Sequence, residues 1–174
     1  MKGQLTIEYL ISFIIFIGLI AYIYLSYSAN IPSFIEEVKK EDTRSKAFQL
    51  SEVLINDPGE PETWDETTVE RVGLLDQSSN RQNLISQVKI NELRDLTGSP
   101  CNDIGYDKLK SKLSMDKEFS VIISEIDTSN GNRNPLYNCF PPSPIIGAIN
   151  TTLIRVIAVN DSGTLTSAEI VIQM

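Results

Sequence analysis

The sequence predicts an α+β fold, with one long N-terminal helix leading into a small domain of short helices that ends in an antiparallel sheet. Three observations predict it. Residues 9–29, YLISFIIFIGLIAYIYLSYSA, carry no charge, and at about 1.5 Å per residue such a run crosses the roughly 30 Å hydrocarbon core of a bilayer. Apolar residues then recur at helical spacing as far as Leu54. The last third of the chain changes to the alternation and β-branched runs of strands. Early helices and late strands thus segregate along the chain, which is the α+β arrangement.

Taken in order, the first helix is expected over residues 4–56. Beyond the uncharged run, Ile31, Phe34, Ile35 and Val38 lie at i, i+3, i+4 and i+7, so one apolar stripe continues. Pro32 has no N–H to give and crowds Ser28, which predicts a kink. Ala47, Leu50 and Leu54, with Phe48 and Ile55 beside them, form a face that stops at Asp57-Pro58-Gly59. The stretch DPGEPETW, Asp57 to Trp64, has turn chemistry and a tryptophan suited to docking on a core. A separate domain is expected over 57–174, with short helices at Asn83–Leu96 and Tyr106–Leu113 and a possible strand within Val69–Leu75.

Phe119, Val121 and Ile123 alternate with Ser120, Ile122 and Ser124, a half-buried strand pattern. Thr151–Val159 and Thr164–Ile172 flank Asn160-Asp161-Ser162-Gly163, a C-terminal hairpin. Between them, Asn130 to Pro144 is polar and proline-rich and reads as a loop, with Tyr137 and Phe140 expected to pack against the core and an exposed contact patch as the alternative.

Composition narrows function by exclusion. The chain has 174 residues and a net charge of −8, so no basic surface is available to release counterions from nucleic acid, which is not an expected partner. It contains no histidine, which removes the commonest general base, the commonest zinc ligand and the Ser-His and Cys-His pairs. No spacing of Asp, Glu, Lys, Tyr or Ser converges on a catalytic site, so no enzyme activity, cofactor or metal is expected. Glu60, Glu62, Asp65 and Glu66 do not follow the spacing of a calcium loop and read as a solvated acidic turn.

Cys101 and Cys139 are the two cysteines. Both follow the apolar run, where an oxidising exterior would let them pair, and separate buried thiols are the alternative. A bridge closing a loop of about 39 residues would stabilise the fold by about 4 kcal/mol. Asn150-Thr151-Thr152 and Asn160-Asp161-Ser162 are glycosylation sequons of low specificity.

The first ten residues, MKGQLTIEYL, place a lysine, a glycine and a glutamine directly before an apolar helix that holds one carboxylate. This resembles the archaeal class III signal of type IV pilin-like proteins, whose pattern Gln-x-Ser/Thr-x-Glu plus an aromatic is filled here by Gln4, Thr6, Glu8 and Tyr9. The resemblance implies that a prepilin-type signal peptidase cuts between Gly3 and Gln4, so that residues 1–3 are a leader and the apolar helix stays attached. It also implies that Glu8 meets the new N-terminal ammonium of a neighbouring pilin-like subunit and sets assembly register. A carboxylate at the end of an apolar helix needs such a partner or must reach for water at the headgroups, which is the bland alternative. The Trp64 turn with VGLL (72–75), VKINEL (88–93) and YDKLKSKL (106–113) resembles, more diffusely, the extracellular domains carried by such proteins, without implying an activity.

Two functions follow as expectations. One is a surface filament or adhesion subunit, such as a minor pilin, with lipid and other pilin-like subunits as partners and the C-terminal domain outside the cell. The other is a single-span, membrane-anchored extracellular binding module that forms no filament.

Overall fold

The computed structural model describes residues 2–79, 81–143 and 151–174, with the backbone alone for 2–6 and 79. A 55-residue helix, α1, runs Lys2–Asn56 and includes Pro32. The chain divides into two compact units, Met1–Glu41 and Asp42–Met174. The expected boundary at residue 56 therefore falls inside the second unit, because the last turns of α1 already belong to its core.

Around Pro32 the helix stays assigned as helix. The amide of Asn30 donates to the Ser26 carbonyl at 2.7 Å and the Ser33 hydroxyl to the Asn30 carbonyl at 2.8 Å. Side chains thus take carbonyls near the residue whose N–H is missing, one of the ways a helix tolerates an internal proline.

In the second unit α1 buries Thr43, Ala47, Leu50, Ser51, Leu54 and Ile55, a face with helical spacing. Phe48, expected beside that face, is exposed, and the Arg155 guanidinium lies 5.6 Å over its ring. The helix end is closed by the chain that follows: Leu74 N–H donates to the Leu54 carbonyl at 2.9 Å and Leu75 N–H to the Asp57 carbonyl at 3.1 Å. Trp64 is 2 % exposed, and its indole N–H donates to the Gly73 carbonyl at 2.9 Å. This docking folds 57–75 back along α1. No strand forms in Val69–Leu75. Single antiparallel bridges, Glu60 to Arg71 and Leu75 to Ile85, stand in its place.

The rest is β1 (Leu84–Ser86), α2 (Gln87–Thr97), α3 (Asp103–Lys112), β2 (Ser120–Ile126), β3 (Arg133–Cys139), β4 (Thr152–Asp161) and β5 (Thr164–Gln173). They form one five-stranded sheet in the order β1-β4-β5-β2-β3. The hairpin β4–β5 pairs in full register from Thr152–Gln173 to Asp161–Thr164, as the turn residues predicted. Two corrections concern the sheet. Residues 84–86, expected to be helical, form β1, which lies parallel to β4, so the sheet is mixed rather than purely antiparallel. Residues 133–139, expected to be loop, form the edge strand β3, where Pro135 costs little because an edge needs no second set of donors. Tyr137 is buried as expected, and Phe140 is exposed.

One face of the sheet meets the helices. Ile85, Val121, Ile123, Tyr137, Ile157, Val159, Ile170 and Ile172 share a core with Leu50, Leu54, Ile90, Leu93, Tyr106, Leu109 and Phe119. The buried Tyr106 hydroxyl accepts the Phe119 N–H at 3.0 Å, and the Tyr137 hydroxyl donates to Thr97 at 3.2 Å. A disulfide joins Cys101, between α2 and α3, to Cys139 at the end of β3, with Cα atoms 5.1 Å apart.

Close approach of α3 to the end of α2 depends on Gly105, where a Cβ would stand 1.9 Å from the Thr97 carbonyl oxygen. Overpacking of this kind costs about 1–3 kcal/mol, so Gly105→Ala should lower Tm by about 5–10 °C. Gly18→Ala, whose Cβ meets nothing within 4 Å, should leave the domain's Tm unchanged. Replacing both cysteines by serine should cost about 4 kcal/mol, read as a lower urea midpoint with an intact chain as reference.

Candidate functional site

Two regions carry unusual chemistry, the apolar part of α1 and the polar groove beside Trp64. In α1 the side chains from Ile7 to Tyr27 are exposed on every side of the helix, including Ile11, Phe13, Ile14, Phe16, Leu19 and Ile20. The helix is long and apolar enough to cross a membrane, and none of its most apolar window is buried within the chain. A helix apolar all round belongs in a core or in lipid. Between Tyr9 and Ala29 there are eleven Leu, Ile and Phe residues, each favouring insertion by about 0.5 kcal/mol, a gain of roughly 5 kcal/mol. Tyr9 stands at one end of this run and Tyr22, Tyr24 and Tyr27 at the other. Tyr9 and Tyr27 are about 27 Å apart along the axis, the spacing of aromatic belts at the two interfaces of a bilayer.

The residues of the N-terminal pattern all fall in α1. Gly3, Gln4 and Thr6 are described by backbone alone, while Glu8 and Tyr9 are exposed at the start of the apolar run. Glu8 is the one ionisable carboxyl among residues 7–29, and it sits at the boundary of the run, not in its middle.

The groove beside Trp64 encloses about 340 Å³ and is lined by Glu62, Asp65, Asp76, Ser78, Lys89 and Glu92, among others. The Lys89 ammonium donates to the Pro58 carbonyl. Burial pushes the Lys89 pKa down, against the opposing pull of Asp57, Asp76 and Glu62. Three nearby carboxylates, Asp57, Asp65 and Asp76, have partners in the fold. Asp57 accepts from Gly59 N–H at 2.7 Å and pairs with Arg71 at 3.0 Å. Asp65 accepts from the N–H groups of Thr67 and Thr68 at 2.8 and 2.9 Å and from both hydroxyls, closing its own turn. Among the described residues no group of three or more Asp, Glu or Cys side chains is placed to hold a metal ion.

Asn160, one of the two sequon asparagines, is half-buried in β4. Its amide nitrogen, the atom a glycan would occupy, donates to Asp76, while its oxygen accepts Gly163 N–H at 2.9 Å. Burial raises the Asp76 pKa, but the Asn160 amide and Ser78 outweigh it, leaving the group below its usual value. Modification of Asn160 would have to break that pairing. Asn150 lies outside the described residues.

Several polar contacts have no signature in the sequence. Arg155 sits on the core-facing side of β4 between Leu153 and Ile157, and its guanidinium reaches Glu52, Ser51 at 3.2 Å and Asn83 at 3.3 Å. Glu52 also accepts from Asn56, and the two contacts hold its pKa down. Lys46 pairs with Asp116, and Lys117 with Asp42, across the approach of α1 to β2. Alternation alone marks Arg155 as a core-facing charge, but the partners lie 72 to 104 residues away. No protein-family model matches the chain, and no curated protein and no solved structure is detectably similar to it.

The Thr67 hydroxyl and N–H, with those of Thr68, hold the Asp65 pKa down to about 2 from 3.8. Because the folded value lies below the unfolded one, the turn's contribution is complete above about pH 4 and is lost as pH falls towards about 2. A carbon-detected NMR titration should therefore place Asp65 near 2. In Asp65→Asn the pH dependence of stability between those values should shrink.

Proposed function

We propose that this chain is a type IV pilin-like surface protein: a minor pilin, or a filament or adhesion subunit, inserted and assembled through α1 with the α+β domain outside the cell. One observation carries the reading. An all-round apolar helix with a single carboxylate at its start is headed by Gln4, Thr6, Glu8 and Tyr9 in the order of a class III signal.

Lipid is the partner that the exposed run from Ile7 to Tyr27 needs, since water would charge for each of those side chains. The disulfide supports an oxidising location for the domain, because such bridges persist outside the reducing cytosol. Cleavage between Gly3 and Gln4 by a prepilin-type signal peptidase would make Glu8 the fifth residue of the mature protein. Its carboxylate would then stand one turn from the new ammonium along the helix, and a neighbouring subunit's ammonium would offer it a partner in a medium that penalises an unpaired charge.

Mass spectrometry of the N-terminal peptide from native membranes should find a chain beginning at Gln4. Glu8→Ala should leave membrane insertion intact, because removing a charge favours lipid, while abolishing incorporation into any filament. A retained leader, or a Glu8→Ala protein that assembles and works normally, would instead indicate the membrane-anchored binding module that forms no filament.

A further inference from the structure

The chain contains one Asn-Gly pair, Asn130-Gly131, and it stands in the turn between β2 and β3. In such a pair the glycine main-chain nitrogen attacks the asparagine side-chain carbonyl carbon. The new N–C bond closes a five-membered succinimide, and ammonia leaves. Water then opens the ring at either carbonyl, giving aspartate or isoaspartate, with no oxidant or enzyme required. Glycine favours the attack because no side chain crowds its nitrogen.

Neither burial nor crowding protects this pair. Asn130 and Gly131 are both exposed, and a Cβ built on Gly131 would meet nothing within 4 Å. What restrains it is hydrogen bonding. Gly131 N–H, the attacking group, donates to the Asp127 carbonyl at 2.7 Å. The Asn130 side-chain oxygen accepts Asn132 N–H at 2.8 Å, an Asx turn that ties the carboxamide to the residue beyond Gly131. The Asp127 carboxylate accepts the N–H and the hydroxyl of Ser129 at 2.8 and 2.6 Å. Hydrogen bonds from Ser129, and then from Asn130, hold its pKa below the usual carboxylate value. Asp127 N–H closes the turn by donating to the Asn132 carbonyl at 2.9 Å. The nucleophile and its target are thus each held by a different neighbour.

We propose that Asn130-Gly131 is a latent modification site, converted to aspartate and isoaspartate only when the turn from Asp127 to Asn132 opens. Opening a surface turn is a local event that leaves the core folded, so the rate of conversion reports that opening. The products then oppose closure. Isoaspartate adds a methylene to the main chain within the turn, and either product sets a second carboxylate near that of Asp127. The turn leads directly into β3, an edge strand of the sheet, so the damage falls on the β2–β3 hairpin. This inference stands on the turn alone and is independent of the membrane reading.

The test holds the full chain in detergent micelles in mildly alkaline buffer, beside the same chain unfolded by guanidinium chloride. Peptides covering residue 130 are followed over time by mass spectrometry, with isoaspartate separated from aspartate by chromatography. Asn130 in the folded chain should convert at least about tenfold more slowly than in the unfolded chain. Asp127→Ala, which removes the carboxylate from the turn, should raise the folded rate several-fold and leave the unfolded rate unchanged, with a native Tm showing that the variant is folded. Equal rates in the folded and unfolded native chain would overturn the proposal, and that comparison needs no variant. So would a folded Asp127→Ala chain that converts no faster than the native one.

Discussion

The structure depends on α1 satisfying two different hydrophobic demands along one hydrogen-bonded helix. From Ile7 to Tyr27 it is apolar all round, and none of its most apolar window is buried. From Thr43 to Ile55 it is apolar along one face, and that face forms part of the domain's core with β2, β4 and β5. A helix satisfies its backbone internally in either environment, which is why a single element can serve both. The boundary between the units falls at Glu41–Asp42, and Asp42 pairs with Lys117.

Everything in the domain is then arranged around the buried end of that helix. The turn at Asp57–Gly59 sends the chain back alongside it, held by Trp64 and by the Leu74 N–H bond to Leu54. Arg155 reaches from β4 to Glu52 and Ser51, so the half-buried charge that the sheet presents to the helix is matched. At one edge of the sheet, the disulfide and the Arg94 bond to the Leu136 carbonyl secure β3. The same polar economy extends to the carboxylates near Trp64: Asp57, Asp65 and Asp76 each have a structural hydrogen-bond partner in the fold.

Much of this was legible in the residues. The uncharged run, the stop at Asp57-Pro58-Gly59, the docking of Trp64 and the β4–β5 hairpin each follow from local chemistry, namely charge, proline and glycine, aromatic burial and β-branching. The misreadings share one cause. Leu84–Ser86 are three residues between a turn and a helix, and only the backbone of β4, more than 70 residues away, makes them a strand. Arg133–Cys139 reads as loop because proline and asparagine are poor strand formers, yet β2 on one side and the disulfide hold it extended. Phe48 was placed on the buried face by its neighbours in sequence, and its position around the helix instead leaves it exposed beneath Arg155.

By itself the sequence determined the polarity of each segment and the local shape of the chain: which stretch is long and apolar enough to cross a membrane, where α1 must stop, and which runs must be extended. Those properties depend on residues within one or two turns of each other. Only the tertiary structure decided the mixed strand order, the partners of Arg155 and the use of Asn160 by Asp76. Each of these depends on which distant group supplies the complementary hydrogen bond, and that is set by packing rather than by propensity.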